Sequence, residues 1–92
     1  MRERLPNRRG SLAFEFNHEG YKYRASIGRF DDGRLAEIFL DTGLIDTPLQ
    51  QNAENAAMLA SLLLQHGAKV ADIVHSVSGP VAVALAQAEA FS

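Results

Sequence analysis

The chain has 92 residues, 47% of them apolar and 22% charged, with a formal net charge of −2. That is the length of a single domain and the composition of a folded one. With no cysteine it can hold no disulfide, thiolate nucleophile or thiolate zinc site, and its charge gives no bulk electrostatic case for nucleic acid or an anionic membrane.

The chain opens on a basic stretch, with Arg2, Arg4, Arg8 and Arg9 among the first nine positions. No apolar run follows it, so it does not read as a secretory signal. No apolar run elsewhere approaches the ~20 residues of a membrane helix. The expectation is a soluble, cytoplasmic protein with a flexible basic segment over 1–10 and one domain over 11–92. The arginines, Arg8 and Arg9 above all, read either as a solvated terminus or as a contact to phosphate or another protein.

Two segments then alternate. In "LAFEFN" (12–17), Leu12, Phe14 and Phe16 share one face. In "YKYRASI" (21–27), Tyr21, Tyr23, Ala25 and Ile27 do the same. Period-two patterning marks half-buried strands. A two-residue turn at Glu19-Gly20 pairs Phe16 with Tyr23, Phe14 with Ala25 and Leu12 with Ile27. Asp32-Gly33 is a second hairpin signal. Read as another two-residue turn, it sets Ile38 against Ile27 and Leu40 against Ala25, with strands near 12–18, 21–29 and 35–41. Arg24 then stands on the outer face between Glu15 and Asp41.

After Asp41 the period changes. Thr47-Pro48 offers an N-cap and a first-turn proline, and Gly67 a stop, so a helix is predicted over 48–66. Leu49, Ala53, Ala56, Ala60 and Leu63 form its expected inward stripe. A short helix over 69–77 should turn Val70, Ile73, Val74 and Val77 inward, and Pro80 can open a third over 80–90. The fold class is α+β: a three-stranded antiparallel meander followed by three helices on one sheet face.

Chemistry-bearing residues are sparse. His18, His66 and His75 lack the close spacing of metal ligands, and no metal or cofactor is expected. Asp31 and Asp32 suit the turn, and Glu37 and Asp41 suit a solvated strand face, better than an acid–base pair. No GxSxG, P-loop or GxGxxG motif is present. Phe39 is more informative: the register places it on the outer sheet face beside Glu37, with Leu35 and Phe30 near that side. An aromatic there calls for a cover, either a second chain or the Arg-rich segment. Arg8, Arg9, Glu37 and Phe39 are therefore the candidate interaction residues.

Three blocks carry a family resemblance: "LPNRR" (5–9), "DGRLAEIFLDTG" (32–43) and "AAMLASLLLQHGAKVADIV" (56–74). In this order they resemble the TSCPD-type domain near the C-terminus of adenosylcobalamin-dependent (class II) ribonucleotide reductases, over roughly residues 5–77. The resemblance implies a link to deoxynucleotide synthesis. The family's name-giving cysteine before proline is absent, since Gly79-Pro80 stands where Cys-Pro is expected. The barrel that holds cobalamin, substrate and the radical cysteine in those reductases has no counterpart in 92 residues. The expectation is a stand-alone, non-catalytic accessory or regulatory module, a homodimer that meets a reductase large chain. The alternative is a small-ligand or nucleotide-binding protein using the acidic turn and basic N-terminus. A small enzyme with a carboxylate or histidine site is a third reading.

Overall fold

Alternation carries the first third of the molecule into three antiparallel strands, β1 (Leu12–His18), β2 (Tyr21–Arg29) and β3 (Leu35–Asp41), in the order β1-β2-β3. The computed structural model describes residues 12–91. The basic segment over 1–10, Arg8 and Arg9 included, lies outside the described residues. The β1–β2 register is the one the pattern predicts, with Leu12 opposite Ile27, Phe14 opposite Ala25 and Phe16 opposite Tyr23. The Phe16 and Tyr23 rings stack 5.3 Å apart at the buried end of this hairpin. On the outer face Lys22 pairs with Glu15 at 3.5 Å, largely solvated, and this contributes little beyond register.

The second hairpin differs from expectation in its loop. Gly33 N–H donates to the Phe30 carbonyl and Phe30 N–H to the Arg34 carbonyl, both at 2.9 Å, which makes a three-residue loop of Asp31, Asp32 and Gly33. A register shift between Gly28 and Arg29 then restores the pairing of Ile27 with Ile38 and Ala25 with Leu40. The bulge leaves Leu35 and Ala36 both buried. Leu35 and Phe30 are thus not part of an outer apolar patch. Leu35 joins the core, and Phe30 is buried with the Arg34 guanidinium 4.7 Å from its ring centre.

Three helices follow: α1 (Pro48–Gln65), α2 (Val70–Ser76) and α3 (Pro80–Glu89). Thr47 caps α1, its hydroxyl oxygen accepting from Gln50 N–H at 3.2 Å. The helix closes with Gly67 N–H on the Leu64 carbonyl and Ala68 N–H on the Leu63 carbonyl, the paired bonds of a Schellman motif. Arg29 ties α3 to the second hairpin by donating to the Ala88 and Gly33 carbonyls at 3.0 and 2.8 Å. A cation at the last turn of α3 also complements its dipole. The core sits between the inner sheet face (Phe16, Tyr23, Ala25, Ile27, Ile38, Leu40) and Ala53, Ala57, Ala60 and Leu64 of α1, Ile73 of α2 and Leu85 of α3.

The inward stripe of α1 is rotated from the one its pattern suggests. Leu64 is buried and Leu63 is half exposed, while Ser61 and Gln65 are buried as well. The cause is the free edge of β3. Ser61 Oγ accepts from Ile38 N–H at 2.9 Å and donates to the Ile38 carbonyl at 3.0 Å. Gln65 Nε2 donates to the Ala36 carbonyl at 2.9 Å. At the far end Gln50 Oε1 accepts from Thr42 N–H at 2.7 Å. Facing these groups to β3 turns Leu63 away. Val77, also expected inward, is exposed beyond α2.

Two substitutions test this account. Ser61→Ala leaves both Ile38 backbone groups buried without a partner and should cost roughly 1–3 kcal/mol in denaturant unfolding. Gly33 stands at φ +94° with open space around a built Cβ, so Gly33→Val should cost about 1–3 kcal/mol through backbone strain alone. Gly33→Asn, which tolerates that region, should cost much less.

Candidate functional site

The site is assembled by the seam between β3 and α1. Two residues of strand advance about 6.8 Å and one helical turn about 5.4 Å, so α1 can meet alternate β3 residues turn by turn. Gln65 meets Ala36 and Ser61 meets Ile38. One turn further the helix presents Ala57 near Leu40. By alternation the Leu40 peptide groups point to the same edge as those of Ile38. A methyl group can bond neither. The polar seal is therefore interrupted there, and a groove of about 820 Å³, open along one side, runs over the gap.

Its apolar walls are Phe39 from the strand and Met58 and Leu62 from the helix, 57%, 62% and 36% exposed. Glu37, Asp41 and Glu54 also line it, with no lysine or arginine among its described lining residues. Glu37 is half-buried and lies across β2, where a Cβ built on Gly28 would fall 2.7 Å from Glu37 Oε2. Gly28 makes room for that carboxylate. Of the expected interaction residues, the structure brings Glu37 and Phe39 to one groove. Sequence reasoning missed Glu54, Met58 and Leu62. The available signal was "MLASLLL", which is more apolar than one inward stripe requires.

The other candidates are dispersed or structurally engaged. Among the described residues no group of three or more His, Cys, Asp and Glu side chains converges as a metal site would. Asp32 accepts from the backbone N–H and Nε of its neighbour Arg34, at 3.1 and 2.8 Å. These bonds, the backbone one foremost, hold its carboxyl below the usual range. Burial pushes the Tyr23 phenol up, with Glu19 adding to the effect. Gly79-Pro80 opens α3, so where the resemblance leads one to expect a cysteine there is no side chain. No described helix is long and apolar enough to cross a membrane.

What fold and groove define is a small α+β domain whose sheet edge is sealed by helix side chains and whose groove between β3 and α1 suits a contact. The chain belongs to the TSCPD domain family, whose profile matches residues 6–84. It is similar to a vitamin B12-dependent ribonucleotide reductase of Agrobacterium fabrum, 35% identical over 75 residues. It is likewise similar to the enzyme of the same name from Bradyrhizobium diazoefficiens, 36% identical over 73 residues. These matches cover 82% and 79% of this chain but 6% of each relative. No solved structure matches the chain.

The Asp32 bonds carry a pH signature. A carboxyl whose folded pKa is depressed stabilises the fold above its unfolded value, and that contribution is lost as pH falls through the folded value. Melting temperature should therefore decline as pH drops below the ordinary 3.8 of aspartate. Asp32→Asn should lower it near neutrality and converge on the parent in acid. Melts of both proteins across that range check this.

Proposed function

We propose that the chain is a non-catalytic accessory module of ribonucleotide reduction, acting in the cytoplasm as a homodimer that contacts a reductase large chain. The observation that carries the protein-contact reading is the exposed apolar row along α1. Leu59 and Leu63, on successive turns, are 62% and 50% exposed. Residues of this size in a row on one helix are the usual mark of a partner.

A second copy suits that row on charge. Glu54 is the one charged residue of α1, so two such helices crossing about a two-fold axis bring no dense like charge together at Leu59 and Leu63. The link to reductases rests on the family match and the two relatives. The nucleotide-binding alternative loses support at the acidic turn, because Asp32 is already engaged by Arg34.

Replacing Leu59 and Leu63 together with Glu should convert a sedimenting dimer to a monomer while leaving the melting temperature of the domain little changed. A parent that sediments as a monomer refutes the dimer. Titration of the labelled chain with the class II reductase large chain of the same organism should show saturable binding. No binding refutes the accessory role, and a thermal shift with nucleotides alone would favour the alternative.

A further inference from the structure

The free edge of β3 is closed on both sides of one residue and open at that residue. Ser61 takes both backbone groups of Ile38, and Gln50 takes Thr42 N–H. Leu40, between them, is only 4% exposed. The alternation that turns the Ile38 groups to this edge turns the Leu40 N–H and C=O to it as well. Among the described residues neither group has a hydrogen-bond partner. A bare backbone pair at a buried residue is costly. The stretch from Ile38 to Thr42 spans about 14 Å, so whatever completes this edge is short.

An isolated edge residue is completed with the smallest footprint by antiparallel pairing, which exchanges both bonds with one residue of the incoming segment. Register then assigns the segment's side chains. The paired residue points to the side of Leu40 and α1, where Met58 and Leu62 form the wall, and calls for an apolar side chain. Its two neighbours point to the outer face, with Phe39 and Asp41. Glu37 and Asp41 flank Phe39 along the strand, and Glu54 stands on the helix wall. With no lysine or arginine among the described lining residues, those neighbours call for cations, one beside Asp41 and one over the Phe39 ring toward Glu37. A second copy of this chain suits the groove poorly, since two-fold symmetry would set the carboxylates against their own images.

We propose that the groove between β3 and α1 binds a short extended segment of a partner protein, one whose apolar residue pairs with the Leu40 backbone and whose flanking lysines or arginines meet Glu37, Asp41 and Glu54. This contact differs in chemistry from the uncharged Leu59–Leu63 row. It depends neither on the dimer nor on the reductase link.

The probe is a capped peptide, Lys-Val-Arg-Val-Arg-Val-Lys, titrated into isotopically labelled full-length chain. It should shift the Phe39, Leu40 and Met58 NMR signals saturably, while signals of α2 and α3 stay in place. N-methylating the central valine removes the N–H that meets the Leu40 carbonyl, and should weaken binding about three- to tenfold. Glu54→Gln, which keeps an acceptor for Gln50 Nε2, should weaken it about two- to fivefold, and raised salt should weaken it further. Leu59→Ser with Leu63→Ser should leave the affinity unchanged. The proposal is overturned by an equally tight peptide with glutamate in place of every cation, by undiminished binding of the N-methyl peptide, or by affinity lost with the two serine replacements. Binding that appears only after Arg8→Glu and Arg9→Glu overturns it in favour of the chain's own basic terminus, and the lack of any saturable shift overturns it outright.

Discussion

One hydroxyl settles how this domain is put together. Ser61 closes both backbone groups of Ile38 on the open edge of β3. An unpaired strand edge left bare is a template for unwanted pairing, and a buried unpaired amide is costly. Once Ser61 and Gln65 are committed to that edge, the azimuth of α1 has little freedom. Ala53, Ala57, Ala60 and Leu64 must then face the sheet, and Met58, Leu59, Leu62 and Leu63 must face out. The alanines suit this, because a helix that reaches an edge with short side chains needs a close approach.

The same constraint creates the groove. Sealing by side chains works turn by turn, and where the turn offers Ala57 in place of a polar group the seal lapses. The interruption lies beside Phe39, the outward aromatic of β3. A structural device for protecting an edge thus produces a recess with backbone groups, apolar walls and a carboxylate lining.

The reductase relatives match this chain over 6% of their length, so what is shared is one small segment of those proteins. In this chain several charged and polar groups serve turns and seams. Asp32 is bound by Arg34, Arg29 by the end of α3, and Gln50 by Thr42 and Glu54. The exposed apolar surfaces of α1 and β3 divide by charge, one uncharged row on α1 and one acidic groove beside it.

The strands, the register of both hairpins beyond their loops, the three helices with the Thr47 cap of α1, and the outward placement of Glu37 and Phe39 were legible in the sequence. Each follows from local rules: alternation, turn residues, an N-cap followed by proline. The three-residue loop was not legible, because Asp32-Gly33 serves a two-residue turn as readily as a loop with a compensating bulge. Only β3's need to restore Ile38 against Ile27 selects the bulge that buries Leu35. The helix azimuth was not legible either. Periodicity ranks Leu63 and Leu64 almost equally, since both are apolar in a helix with apolar residues on several sides. The choice between them was made by Ser61 and Gln65 meeting backbone groups of β3 more than twenty residues earlier, a contact that exists only once strand and helix are packed together.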